Sequence, residues 1–318
     1  METLSYTTDG YLRAGKPFIL VAGELHYFRV PRREWRRRME LFLEAGGNAV
    51  GTYIPWLLHE PEEGQYRFES SDGACNLESY LELAAELGLW VIARPGPYQY
   101  SEMLWDGLPG WLVERYPEIL ARTIEGRPFR ASSVSYLHPR YMEKVRQWYG
   151  QVCPILARNT VSRGGAVALM QVDNEMTGVH RWFSGFDYNA ETMGFGRQDG
   201  RYPRFLQRKY GSIEALNRAY GTEYGSFADV RPLGGNSTRP QDLRRRKDYA
   251  DLYWQYVAEY AQFLAGLARD AGVDVPLIHN AANPLENAFF KETVAALGEQ
   301  LVQGSDHYYN LSSEWERN

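Results

Sequence analysis

A (β/α)8 barrel is the architecture this sequence predicts, and three observations lead to it. Short apolar runs alternate with segments of helical spacing along most of the chain. The runs are apolar at consecutive positions, as strands buried on both faces of a parallel sheet are. Polar and aromatic residues then gather just after the runs end: Glu24 and His26, Tyr53 and Trp56, Tyr98 and Glu102, Asn174 and Glu175, Asp306 and His307. A barrel builds its site in that way, from many strand C-termini at once. An open doubly wound sheet competes, but no Gly-x-Gly-x-x-Gly follows the first run, so its dinucleotide-binding form lacks its signature.

The elements follow in order. Phe18 to Gly23 reads as the first buried strand. Arg33 to Glu44 is a helix, with Trp35, Met39, Phe42 and Leu43 on one face. Asn48 to Tyr53 is the second strand. Leu77, Tyr80, Leu81, Ala84 and Leu87 mark a helix that Gly88 stops. Leu89 to Arg94 is the third strand, closed by Pro95-Gly96-Pro97. Tyr141 to Leu156 is helical, and Ala166 to Val172 is the fourth strand. Lys247 to Asp270 repeats its apolar residues at three and four. Val275 to His279, Phe289 to Leu297 and Leu301 to Ser305 read as strand, helix and strand. Six strands are thus visible where a closed barrel needs eight. Residues 1–318 are read as one partial catalytic barrel, its seventh and eighth units apparently missing.

Composition narrows the function classes. Hydrophobic residues make up 44% and charged residues 24% of the 318, a globular balance that excludes disordered and collagen-like classes. The net charge of −5 argues against nucleic acid as a partner. No apolar run approaches the length that spans a bilayer, and the first residues have neither a basic nor an apolar leader region. Cys75 and Cys153 form no Cys-x-x-Cys pair and suit a reducing compartment, so a cytoplasmic location is expected. His59-Glu60 lacks the second histidine of a zinc protease motif. Neither a metal nor a cofactor is expected.

The chemistry-bearing segments each admit two readings. Gln171-Val172-Asp173-Asn174-Glu175 ends an apolar strand in a carboxyl group. Held at a barrel mouth, such a group can protonate a leaving oxygen, with Asn174 bonding a sugar hydroxyl. The alternative is a loop start that caps backbone groups. The stiff Pro-Gly-Pro turn can hold Tyr98 and Glu102 in fixed places, or Glu102 is a solvated loop carboxylate. Tyr53 and Trp56 can stack on the apolar face of a sugar, or they pack the rim.

Together these motifs resemble glycoside hydrolase family 35, the β-galactosidases. Gly23-Glu24-Leu25-His26-Tyr27 resembles that family's Gly-x-x-His-Tyr. Thr52 to Pro61, with Gly64-Gln65-Tyr66-Arg67-Phe68, resembles its second-strand signature. Arg94-Pro95-Gly96-Pro97-Tyr98, Glu102 and Gly107 to Leu112 resemble its third, and Gln171 to Glu175 its Asn-Glu segment. Lys209 to Asn217 is similar to family 42 β-galactosidases. The resemblance implies a retaining hydrolase that removes terminal β-galactosyl residues. Glu175 would be the acid/base, Asn174 would hold the sugar 2-hydroxyl, and Tyr53 and Glu102 would bind the terminal sugar. It also implies a glutamate nucleophile at the end of a seventh strand. Glu314 and Glu316 follow the sixth strand too closely for that place, so the nucleophile is expected beyond Asn318. Tyr100 stands where that family commonly has a small or amide residue, and Met176 where a tyrosine usually follows the glutamate, which leaves the exact sugar open. The alternative is a non-catalytic carbohydrate-binding barrel, or an inactive fragment that needs a missing C-terminal part. A barrel cut after six units has open sheet edges, so self-association is also expected.

Overall fold

A computed structural model describes residues 4–7, 9–176, 180, 185–235, 237–281 and 301–305. The chain begins with a small antiparallel sheet of β1 (Leu4–Thr7), β2 (Gly10–Arg13) and β3 (Lys16–Pro17). The main sheet is parallel: β4 (Ala22–Glu24), β5 (Ala49–Tyr53), β6 (Trp90–Arg94), β7 (Val167–Gln171), β8 (Leu277–Ala281) and β9 (Leu301–Ser305). Each strand pairs with the next in sequence, the order in which barrel strands follow one another. Five of the six predicted strands are found within two residues of their expected bounds. The predicted helix Phe289 to Leu297 lies outside the described residues, as do Asp306, His307, Glu314 and Glu316.

Helices cover the strands at the spacing their apolar faces dictate. They are α1 (Trp35–Glu44), α2 (Trp56–His59), α3 (Leu77–Glu86), α4 (Gly110–Arg115) and α5 (Pro139–Arg158). After β7 come α6 (Ala190–Met193), α7 (Arg201–Tyr210), α8 (Ile213–Tyr220) and α9 (Pro240–Asp270). Strands β5 and β7 are buried at all five positions, as continuous apolar runs require.

Two predicted boundaries shift, each for a local reason. The first strand is shorter than Phe18 to Gly23. Asn48 takes over the backbone there, its Nδ2 donating to the Ile19 carbonyl (3.0 Å) and its Oδ1 accepting from the Val21 N–H (2.9 Å). The ladder to β5 begins only at Ala22, and Ile19 stays 80% exposed. The last long helix starts at Pro240 rather than Lys247, because Pro at a first helical position is pre-set for the turn. Asp242 then holds Arg239 and Ser237. Arg244, Arg245 and Arg246 hide those turns from an apolar pattern.

The register of β4 to β7 decides what faces inward. Glu24 pairs with Gly51, Tyr53 with Arg94, and Ile92 with Leu169. Since side chains alternate along a strand, Glu24, Gly51, Tyr53, Arg94 and Gln171 share one face. Behind them Trp148 of α5 is fully buried, stacked 5.9 Å from Trp56 and 6.2 Å from Phe68. Its Nε1 donates to the Pro95 carbonyl at 2.9 Å, so the core clamps the turn that follows β6. We expect Trp148→Ala to lower stability by about 3–5 kcal/mol through the cavity it opens. Trp148→Phe should cost about 1–3 kcal/mol, chiefly for the orphaned carbonyl. Urea unfolding of both variants checks the ranking.

Candidate active site

The inward face ends in a cleft of about 450 Å³ at the C-terminal ends of β4 to β7. Its floor is organised by Arg94, 13% exposed at the end of β6. Nη1 pairs with Glu24 Oε1 of β4 at 2.7 Å, and Nη2 donates to the Tyr53 hydroxyl at 2.6 Å and to Asn174 Oδ1 at 3.0 Å. The guanidinium also lies 3.9 Å from the Tyr53 ring centre, a cation–π contact. Glu24 has room because residue 51 is glycine: a Cβ there would meet Glu24 Oε1 at 2.7 Å.

Asn174 is oriented by three donors. Besides Arg94, its Oδ1 accepts from Tyr53 (3.2 Å) and from Gln171 Nε2 (3.1 Å). The side-chain oxygen is thereby committed to the protein, which leaves the NH2 group as the donor for a ligand. Glu175 follows, 6% exposed and lining the cleft. Its backbone N–H donates to Asn280 Oδ1 of β8 at 3.4 Å. Asp173 and Glu175 both adopt left-handed backbone, at φ +53° and +46°. Such conformations cost about 1–3 kcal/mol each in non-glycine residues and concentrate at functional sites.

Glu102 lines the same cleft from the loop after β6. Tyr100, Ser101 and Glu102 form a left-handed run, at φ +57°, +52° and +49°. Arg29 donates through Nη2 to the Ser101 carbonyl and holds that run against the segment after β4. His26 also lines the cleft. Burial, then the charges of Arg29 and Arg94, lower its imidazole to about 4. It is therefore neutral near pH 7, and its 3.7 Å approach to Glu24 is not an ion pair there.

Four of the six residues expected at a sugar site, Tyr53, Glu102, Asn174 and Glu175, line this one cleft. Two do not. Trp56 is fully buried in α2, with its Nε1 donating to Glu60 Oε2 at 2.5 Å. Its ring faces are taken up by core packing, so it offers no platform to a sugar. Tyr98 is 1% exposed and packs edge-on behind Tyr100, with ring centres 4.7 Å apart. Tyr100 lines the cleft in its place. His59 and Glu60 are structural too: His59 meets the Tyr27 hydroxyl at 2.5 Å, and Glu60 accepts the Gly64 N–H. Arg94, Gln171 and Arg29 escaped the sequence reading. The available signal for Arg94 was a charge closing an apolar strand directly before Pro-Gly-Pro.

Residues 11–193 match the model of Glycosyl hydrolases family 35. The chain belongs to that family. Curated relatives include a β-1,2-glucosyltransferase of Ignavibacterium album, 33% identical over 85% of this chain and 37% of that protein. An exo-β-D-glucosaminidase of Thermococcus kodakarensis is 35% identical over 87% of this chain and 35% of its own length. Human β-galactosidase is 39% identical over 55% of this chain and 23% of its own. The chain thus spans between about a quarter and a little over a third of the length of these relatives. Among solved structures, a β-galactosidase of Halorubrum lacusprofundi superposes with a TM-score of 0.73 at 23% identity, covering 91% of this chain and 40% of that one. That likeness establishes the (β/α)8-barrel fold.

Arg94→Lys keeps the charge, but a point charge cannot serve Glu24, Tyr53 and Asn174 together. Glu24 is 51% exposed, so its share is small. The loss of the bonds to Tyr53 and Asn174 should lower stability by about 1–3 kcal/mol, measured by denaturant unfolding at pH 7.

Proposed function

We propose that the chain carries the acid/base and sugar-binding part of a retaining glycoside hydrolase that releases terminal β-galactosyl residues from β-galactosides. The reading is supported above all by the meeting of Glu175, Asn174, Tyr53 and Glu102 in one cleft at strand C-termini, in a chain of family 35.

The chemistry divides among these residues. Glu175 in its acid form gives its proton to the glycosidic oxygen as the bond to the anomeric carbon breaks. A second carboxylate attacks that carbon and forms a glycosyl ester. Glu175, now ionised, then takes a proton from the water that hydrolyses the ester. This sequence needs the two carboxyl groups about 5–5.5 Å apart. The nucleophile belongs outside the described residues. Asn174 donates from its NH2 group to the sugar 2-hydroxyl, while Tyr53 and Glu102 hold the remainder of the terminal ring.

A second reading concerns only the sugar. The relatives named for glucosyl transfer and for glucosaminide cleavage match 85% and 87% of the chain, against 55% for human β-galactosidase. That breadth favours a gluco-configured terminal sugar as the alternative.

The test uses nitrophenyl β-galactoside, β-glucoside and β-glucosaminide together with unactivated disaccharides. We expect the β-galactoside to be turned over fastest; the glucoside or glucosaminide leading instead supports the second reading. Glu175→Gln should lose about 10²–10⁴-fold on disaccharides, the usual worth of general acid catalysis. It should lose less on nitrophenyl substrates, whose leaving groups need little protonation. Equal losses on both would remove Glu175 from the acid role. Sugar binding with no turnover at all would point to a non-catalytic carbohydrate-binding barrel.

A further inference from the structure

One buried carboxyl group has no part in the chemistry above, yet it touches both halves of the cleft. Asp173 is 1% exposed and sits between Gln171 of β7 and the Asn174-Glu175 pair. Its Oδ1 accepts two backbone N–H groups: that of Asn174 at 2.9 Å and that of Tyr98, in the turn after β6, at 3.0 Å. Its own N–H donates to the Gly96 carbonyl in that same turn at 2.8 Å, and its carbonyl accepts from Gln171 Nε2 at 3.0 Å. Three backbone groups of two neighbouring turns are thus gathered on one residue.

Tyrosine hydroxyls complete the frame. Tyr149 of α5 donates to the Gly96 carbonyl at 2.6 Å, and Tyr136 donates to the Met176 carbonyl just past Glu175. Tyr141 of α5 and Tyr260 of α9 share a hydrogen bond at 3.3 Å. These four tyrosines face Asp173, and His279 of β8 packs alongside, its ring nitrogens meeting the Val172 carbonyl at 2.9 Å and the Met176 N–H at 3.4 Å. Asp173 Oδ2 is buried without a hydrogen bond of ordinary length, although the Tyr260 hydroxyl approaches the carboxyl group more loosely.

We infer that Asp173 is a positioning residue: its carboxyl group locks the turn bearing Asn174 and Glu175 to the turn that leads into Tyr100 and Glu102. The inference rests on the glycosidase reading for its kinetic consequence, but the lock itself is a matter of backbone hydrogen bonds. Residues 173 and 175 are held in left-handed backbone, which relaxes unless the surroundings over-determine it. The paired N–H groups on Oδ1 supply that constraint. A displacement of about 1 Å at a reacting group costs as much as 10²-fold in rate, so a lock between the two turns acts on turnover more than on sugar affinity.

The protonation state supports the same picture. Burial pushes the Asp173 carboxyl group up to about 7, against the opposing pull of the Asn174 and Tyr98 N–H groups and the Tyr260 hydroxyl. A folded value above the unfolded one means that the fold binds the proton more tightly. Stability from this group is full below the ordinary carboxylate range, falls as pH rises from there toward 7, and stays low above it. In the neutral form Oδ2 carries the proton and has the Tyr260 hydroxyl as a nearby acceptor. Ionisation places a charge in a buried, tyrosine-lined space, so an opening that hydrates the carboxylate becomes easier as the proton is lost.

The test compares Asp173→Ala and Asp173→Asn in the full-length protein. Amide hydrogen exchange is read at Tyr98 and Asn174, and kcat and KM are measured with nitrophenyl β-galactoside at pH 6. We expect Asp173→Ala to speed exchange at both amides by about tenfold or more, the mark of a local opening. It should lower kcat by about 10–100-fold while KM changes by less than about threefold. Asp173→Asn keeps an acceptor oxygen for both N–H groups and should restore protection, with kcat within about threefold of the unaltered protein. Unchanged exchange in Asp173→Ala would overturn the inference, and so would Asp173→Asn failing as badly as Asp173→Ala. Where Asp173→Ala does not fold, exchange corrected for its intrinsic pH dependence decides. Protection at the two amides should weaken as pH rises from the ordinary carboxylate range toward 7 and level off above it in the unaltered protein, and not in Asp173→Asn; parallel pH series would refute the lock. Absence of turnover in the unaltered protein sinks the glycosidase reading alone, since the exchange measurement judges the lock without it.

Discussion

The guanidinium of Arg94 is the contact on which the mouth of this barrel depends. One side chain at the end of β6 reaches Glu24 of β4, Tyr53 of β5 and Asn174 beyond β7. Four neighbouring strands are tied at their C-terminal ends by a single planar group with donors in fixed directions. Parallel strands buried on both faces hold few polar groups along their length. Those at their ends must therefore satisfy one another, and a fork of N–H groups does so with little freedom left over. The orientation of the Asn174 amide follows from that economy, as does the place of Glu175 next to it.

A rigid floor lets the chain hold backbone conformations that would otherwise relax. Five non-glycine residues in the two turns around the cleft are left-handed: Tyr100, Ser101, Glu102, Asp173 and Glu175. None is excused by a missing side chain, and the turns that carry them are pinned from nearby. Arg29 reaches the Ser101 carbonyl. Asp173 gathers Asn174, Tyr98 and Gly96. Trp148 and Tyr149 of one helix hold the carbonyls of Pro95 and Gly96. Packing in the core is thereby transmitted into the geometry of the mouth.

The fold was legible because apolar runs and helical spacing are strong, local signals. β5, β6 and β7 appear almost at their expected bounds for that reason. The edges were harder: the Asn48 side chain mimics a ladder and shortens β4, and arginines mask the first turns of α9. The small sheet from Leu4 to Pro17 carried no long apolar run and was not foreseen. At the site, the position after a strand end identified Tyr53, Glu102, Asn174 and Glu175 as residues able to meet. It could not say which aromatic ring turns outward. Tyr98 and Tyr100 lie two residues apart, and the choice between them is made by left-handed backbone that no side-chain pattern encodes. Trp56 follows the same strand as Tyr53, but the short helix α2 rotates it into the core. Asp173 was given no role of its own in the Gln171–Glu175 segment, because the groups its carboxylate holds are main-chain N–H groups that no side-chain pattern reveals.

Gly51 has a bearing on how this site can change. Its backbone is ordinary extended strand, so conformation alone would admit any residue there. The volume a Cβ would need is occupied by the carboxylate of Glu24 on the next strand, and that carboxylate is drawn down by Arg94. Positions 24 and 51 therefore share one allotment of space, and a side chain added at 51 is felt first at the Glu24–Arg94 contact. A shorter side chain at 24 would open residue 51 to alanine or serine and release Arg94 Nη1, while Nη2 stays with Tyr53 and Asn174. A mutational path that enlarges residue 51 first must swing the half-exposed Glu24 carboxylate aside and off Arg94. The order of substitutions therefore decides whether the Glu24–Arg94 contact is lost before or after residue 51 gains a side chain.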